Sequence, residues 1–186
     1  MSKNLLIVLS GPSGVGKGTI AKILVERNKD VSLSISCTTR APRVNEVDGR
    51  EYFFITKEEF DKRKANGGFL EYSDHFENCY GTPKDFVLEK LESCHVLLEI
   101  DVNGGLEVKK NYKDALLIML LPPSIEEIKN RLIKRNTETI EKINLRMERI
   151  EYELGKKDLY DYLVVNDDLE TAIKEIEEII LKNKNS

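Results

Sequence analysis

The residue that most plainly could do chemistry is Lys17, because of what surrounds it. It lies near the end of the stretch LSGPSGVGKGT at positions 9–19, where Gly11, Gly16 and Lys17 fit G-x-x-x-x-G-K and Gly14 adds a further glycine. Glycines there let successive backbone N–H groups point inward at an anion, with no side chains to hold it off. A lysine at the end of such a loop brings a full charge to the outer phosphates of a nucleotide, beside the positive end of the helix that follows. Pro12, Ser13, Val15, Gly18 and Thr19 complete the segment expected to wrap a triphosphate. The position after Lys17 is Gly18, where the pattern usually carries a serine or threonine. The metal-binding hydroxyl is therefore displaced to Thr19 or absent.

Arginine supplies the other candidate chemistry. In SISCTTRAPR, Arg40 and Arg43 flank Pro42, which stiffens the segment and disfavours helix. Two guanidinium forks on a stiff loop suit a phosphate, which they can grip in bidentate fashion. Arg131 with Arg135, and Arg146 with Arg149, are spaced to share helical faces. Arg149 reads as a solvated arginine among glutamates. The strand-like HVLLEID ends in Glu99 and Asp101, which alternation places on the same side.

These groups need elements to hold them. Apolar runs at 5–9, 95–100, 115–121 and 162–166 are continuous rather than alternating, as in strands of a parallel sheet covered on both faces. Helical patterns cover 16–27, 57–65, 84–91 and 169–181, giving the alternation of an α/β layer structure. Two regions break the rhythm. From 34 to 82 the aromatic fragments REYFFIT and FLEYSDHF read as antiparallel strands of an inserted lobe. From 124 to 154, after Pro122-Pro123, the text is charged and helical, with Ser124 and Glu127 spaced as a capping box. Ile140, Ile143, Met147, Ile150 and Leu154 follow at helical intervals. The expected architecture is one domain over 1–186. Its parallel-sheet core (about 1–33, 83–123 and 155–186) has helices on both faces, a mixed or antiparallel β insertion and a helical lid.

Composition narrows the function classes. The chain has 186 residues, 40% hydrophobic, with 29 basic and 33 acidic side chains and a net charge of -4. That balance argues against non-specific nucleic-acid binding, which draws its affinity from basic groups. The N-terminal apolar run is too short for a signal-peptide core, and no stretch is long enough to span a membrane. Cys37, Cys79 and Cys94 lack the spacing of a zinc site or disulfide framework, and His75 and His95 are the only histidines. A cytoplasmic protein is expected, with monomer or homo-oligomer left open.

Six blocks now carry a resemblance. LSGPSGVGKGT, SCTTRAPRVNEVDGREYFF, GGFLEYSDHFENCYGTP, LLEIDVNGG, PPSIEEIKNRLIKRNTET and LVVNDD stand in the order found in guanylate kinases, spanning nearly the whole chain. The resemblance implies transfer of a phosphoryl group from MgATP to GMP, with dGMP as the expected second acceptor. It implies that Arg40, Arg43, Tyr52 and Tyr80 hold the GMP phosphate, and that Ser36, Glu71, Thr82 and Asp101 surround the base. Gly11 through Thr19 and Asn166 would bind ATP. Lys17, Arg40, Arg43 and the lid residues Arg131, Arg135 and Arg146 would carry catalysis, with Glu99 an outer-shell ligand of Mg²⁺. Threonine at 82 replaces a common serine, and Asn136 stands where the family usually has glycine.

The chemistry agrees with that assignment. Guanine presents N1–H and N2–H₂ side by side, which one carboxylate accepts together, whereas adenine has an acceptor at N1 and no 2-amino group. Two other readings remain. A kinase for another monophosphate is disfavoured by Glu71 and the SCTTRAPR block. A non-catalytic guanylate-kinase-like binding module is disfavoured by Gly16, Lys17 and the lid arginines.

Overall fold

The computed structural model describes residues 4–75, 77–134 and 139–184. Its core is a five-stranded parallel sheet. The sequence begins with β1 (Leu6–Ser10), α1 (Lys17–Arg27) and β2 (Val31–Leu33). A second sheet is built from β3 (Cys37–Thr38), β4 (Phe53–Phe54), β5 (Phe69–His75) and β6 (Asn78–Pro83), with α2 (Lys57–Ala65) between β4 and β5. The core resumes with α3 (Lys84–Leu91), β7 (His95–Glu99), α4 (Val102–Asn111) and β8 (Leu116–Leu121). After the helical pair α5 (Ile125–Lys134) and α6 (Ile140–Leu154), the chain ends in β9 (Tyr162–Val165) and α7 (Leu169–Lys184). The parallel order is β2-β7-β1-β8-β9.

The unbroken apolar runs of β1, β7 and β8 have the cause expected of them, cover on both faces of the sheet, whereas in the edge strand β9 only Val164 is buried and Leu163 and Val165 are exposed. Ile7 and Leu9 of β1 join Leu97, Ile118 and Leu120 against α1 and α7, through Ile20, Leu24, Ile173 and Ile176. Leu6 and Val8 join Val96, Leu98, Leu117 and Met119 on the other face, against Val87 of α3 and Val102 and Val108 of α4. All of these residues are essentially inaccessible to solvent. Removing any one large side chain there would cost roughly 2–5 kcal/mol.

In the parallel-sheet core, one strand and one longer helix went unseen in the sequence. Strand β2 is only VSL, too short to show a period. Helix α4 reads VNGGLEVKKN, whose adjacent glycines lower helix propensity. Packing explains Gly105: a Cβ there would collide with Tyr160 Oη and stand 2.8 Å from Ser10 Oγ. Asp101 starts this helix by accepting the Gly104 N–H at 2.8 Å, a side-chain cap.

The small sheet is mixed, in order β4-β3-β6-β5. FLEYSDHF supplies the antiparallel β5, which pairs β6. REYFFIT does not fulfil its antiparallel reading. Only Phe53–Phe54 is strand, and it runs parallel to β3. The loop between them turns at Asn45 and Gly49, both with positive φ (75° and 77°), so the chain re-enters in its original direction. At the start of α5, Ser124 Oγ accepts the Glu127 N–H at 3.0 Å, the N-cap half of the expected box. Ile143, Met147 and Ile150 of α6 pack on Ile128 of α5, whereas Ile140 is exposed.

Candidate active site

Strands β1 and β7 are neighbours, but the helices that follow them leave on opposite faces: α1 packs with one core cluster and α4 with the other. A crevice must open between such strands at their carboxyl ends. The glycine loop, Glu99 and Asp101 all lie there by chain connectivity.

In the loop, Gly11, Gly14 and Gly16 have φ of 148°, 83° and 101°, which a side chain would strain. Gly16 is the left-handed N-cap of α1. Lys17 Nζ folds back onto its own loop, donating to Gly11 O at 2.6 Å and Pro12 O at 3.2 Å. Burial lowers its pKa, the carboxylates of Glu99, Glu153 and Asp101 oppose that shift, and Arg149 adds to it. Asn166 fastens the loop, donating from Nδ2 to Val15 O at 2.8 Å. A Cβ at Gly16 would lie 2.7 Å from that nitrogen. Asn166 thus meets the expected ATP site through the loop backbone.

Gly18 faces Glu99. A Cβ added at Gly18 would lie 3.6 and 3.7 Å from the two Glu99 oxygens. Burial raises the Glu99 pKa and Lys17 holds it down. The donor set at this spot is one carboxylate and the nearby Thr19 residue. It fits a Mg²⁺ ion held mainly by nucleotide phosphates and water.

On the inserted lobe, Arg40 lies among acceptors and rings. Its guanidinium donates to Ala41 O at 2.8 Å and to Glu46 Oε1 at 2.9 Å. It also stands 5.6 Å from the Tyr52 ring centre and 5.9 Å from that of Phe54, and bonds Tyr80. Tyr52 and Tyr80 meet edge to face at 6.0 Å. Arg43 is exposed, and its backbone N–H donates to Glu46 Oε2 at 2.7 Å. Glu46 therefore organises the whole arginine loop. Sequence reasoning missed it, although a carboxylate three residues after Arg43 was the available signal.

The group expected to read the base is assembled from three elements. Glu71 on β5 is buried, and its Oε1 accepts from Thr82 Oγ1 on β6 at 2.6 Å. Its Oε2 lies 3.2 Å from where a Cβ on Gly104 would stand, with Asp101 Oδ1 3.5 Å from the same point. Burial pushes the Glu71 pKa up to about 7, the Thr82 bond opposes this, and the Asp101 charge adds to it. Ser36, Tyr52, Thr82 and Glu99 line one cavity of about 120 Å³ between the lobe and β7.

The expected lid is less complete. Arg146 is on α6, Arg135 lies outside the described residues, and Arg131 is on α5 with its side chain outside them. Arg149 is only half a surface residue. Its side chain is 54% exposed, yet it pairs with Glu153, whose side chain is 5% exposed. Among the described residues no helix is long and apolar enough to cross a membrane.

Comparison with known proteins agrees with this geometry. The family description "Guanylate kinase" matches residues 3–183. The guanylate kinase of Caldanaerobacter subterraneus subsp. tengcongensis is 49% identical over 98% of this chain and 89% of its own. That of Clostridium perfringens is 50% identical over 98% of this chain and 85% of its own. The crystal structure of guanylate kinase from Anaplasma phagocytophilum superposes with a TM-score of 0.78 at 29% identity, covering 100% of this chain and 89% of that one. A shikimate kinase from Bacteroides thetaiotaomicron shares the fold alone, at 16% identity and a TM-score of 0.53 over 95% of this chain and 98% of that one. A phosphate loop facing an acidic strand end, a lobe that gathers Glu71 and Thr82, and these matches over nearly the full length lead to one conclusion: the chain belongs to the guanylate kinase family, whose members phosphorylate GMP with ATP.

Proposed function

We propose that the chain moves the terminal phosphoryl group of ATP in line onto GMP, and onto dGMP, giving ADP and the diphosphate. The observation that best supports this reading is the meeting of Glu71, Thr82 and Asp101 around the Gly104 backbone, beside the strand whose Glu99 faces the glycine loop. One site would read guanine and the other would hold the donor phosphates.

The attacking atom is a phosphate oxygen of GMP, already anionic, so no general base is needed. Rate enhancement then comes from alignment and charge neutralisation. Arg40, Arg43, Tyr52 and Tyr80 would fix the acceptor phosphate, while Ser36, Glu71, Thr82 and Asp101 would orient the base. Lys17 would leave the carbonyls of Gly11 and Pro12 for the transferring phosphoryl group. Arg131, Arg135 and Arg146 would cover the donor when α5 and α6 close, and exclude water that could hydrolyse ATP. Glu99 and Thr19 would hold Mg²⁺ through water, and the ion, when bound, neutralises charge between the outer phosphates. A cytoplasmic place of action is supported by the free thiols of Cys37, Cys79 and Cys94. An ADP-release assay with GMP, dGMP, AMP and UMP tests the reading: turnover should be confined to the guanine nucleotides, and equal turnover of AMP would overturn it.

A further inference from the structure

The last turns of α6 carry a charged pair that the machinery above does not use. Glu153 is 4% exposed, unusual for a carboxylate. Its Oε1 accepts from Arg149 Nε at 3.1 Å, and its Oε2 is buried with no hydrogen-bond partner among the described residues. An ordinary i,i+4 pair on a helix surface leaves both partners in water and contributes little to stability. Here one partner has been taken out of water and left half satisfied, which costs stability unless another state completes it.

The location says which state. Glu153 and Arg149 both lie within electrostatic reach of Lys17, and Glu153 also of Tyr160, whose hydroxyl donates to Val102 O at 2.9 Å. The pair therefore sits at the foot of the lid beside the glycine loop. Helical spacing puts Arg146, Arg149 and Glu153 on one face of α6. The Arg149 side chain is 54% exposed, and beyond Nε its guanidinium makes no hydrogen bond among the described residues.

We propose that Arg149 is a further phosphate-binding residue of the donor site, closing on the ATP triphosphate, and that Glu153 is the positioning residue that aims it. Completing the side-on pair, with Nε on one carboxylate oxygen and an Nη on the other, satisfies Oε2. The remaining N–H groups then turn outward, in the fork geometry that suits phosphate oxygens. This rests on the reading that the glycine loop holds ATP.

Steady-state kinetics of Arg149→Ala, Arg149→Lys and Glu153→Gln, with ATP varied at saturating GMP and the reverse, decide it. Arg149→Ala should lower kcat/KM for ATP about tenfold or more and leave the KM for GMP within twofold. Added guanidinium should restore part of the loss, and Arg149→Lys should recover less than the native fork. Glu153→Gln should reproduce part of the ATP defect with an unchanged helical circular-dichroism signal. Arg149→Ala within twofold of wild type for both substrates would overturn the proposal. So would a loss shared equally by both substrates, with a lowered Tm and no guanidinium rescue. Lys17→Met in the same assay separates the two readings. If it is inactive while Arg149→Ala is normal, only this proposal falls; if it is active, the loop reading falls and takes this one with it.

Discussion

Thr82 Oγ1 donates a 2.6 Å hydrogen bond to Glu71 Oε1 and leaves the other carboxylate oxygen facing the Gly104 backbone. The site therefore holds a carboxylate that is buried, half satisfied and pushed up to a pKa of about 7. Guanine offers two adjacent donors to such a group. Its ionised form accepts both, and its protonated form has lost one acceptor position. The GMP KM should therefore fall as pH rises from about 6 to 8. A KM that is flat across this range, with ATP saturating, would contradict the role given to Glu71.

The same shift has a signed effect on stability without nucleotide. The folded chain keeps the Glu71 proton up to about pH 7, whereas an unfolded glutamate releases it near its ordinary value of 4.5. Between those values the native state binds more protons, so the Glu71 contribution is fully present below the lower pKa and is lost as pH rises through the upper one. The loss is on the order of 3 kcal/mol. Glu71→Gln should thus gain on wild type as pH rises from 5 to 8, read as the difference between their urea midpoints. In activity the variant should lose about a hundredfold in kcat/KM for GMP, because its NH₂ confronts a guanine donor. AMP should suffer much less, so the GMP-to-AMP ratio must fall.

Lys17 spends its hydrogen bonds on the carbonyls of Gly11 and Pro12, which hold it inside the loop it serves. Lys17→Met should lower kcat by roughly 10²–10³, the scale of removing one preorganised donor from developing charge. The variant should stay folded, since the loop is also fastened by the Asn166 bond to Val15 O. Circular dichroism and a single-turnover assay check both halves.

Much of this was readable from the chain, for identifiable reasons. Strands β1, β7 and β8 announce themselves because burial on both faces demands uninterrupted apolar residues, as Leu6 through Leu9 show, while the apolar run of the edge strand β9 buries only Val164. The glycine loop is legible because the backbone angles it needs admit little else. Helix α4 is not, since it is held by the fit of Gly105 under Tyr160 and the Asp101 cap rather than by propensity. Glu46 and Glu153 were also missed. Each looks like one more surface glutamate until tertiary structure brings Arg40 or burial to it. Arg131 and Arg135 were named from resemblance, and their side chains lie outside the described residues.

The Arg40 guanidinium touches Glu46, Tyr52 and Tyr80, all on the inserted lobe. Arg40→Ala should therefore weaken GMP binding by about thirtyfold or more while ATP binding stays within twofold. Calorimetric titration of each nucleotide measures this directly. An equal loss for both would move Arg40 out of the acceptor site.

Gly18 offers a test of how the metal is held. The position lies in the first turn of α1 without positive φ, and a Cβ there would make ordinary contact with Glu99, at 3.6 and 3.7 Å from its oxygens. Nothing steric forbids a serine. Gly18→Ser should raise stability by roughly 0.5 kcal/mol, the helix-propensity difference between the two residues, read as a higher urea midpoint with an unchanged slope. Its hydroxyl would also stand beside Glu99, adding an oxygen donor where the proposed arrangement would leave the ion to phosphates and water. The Mg²⁺ concentration for half-maximal activity should then fall at fixed ATP. A variant that is stabilised but shows the same magnesium dependence would mean that the ion binds away from Gly18, and that Glu99 serves Lys17 alone.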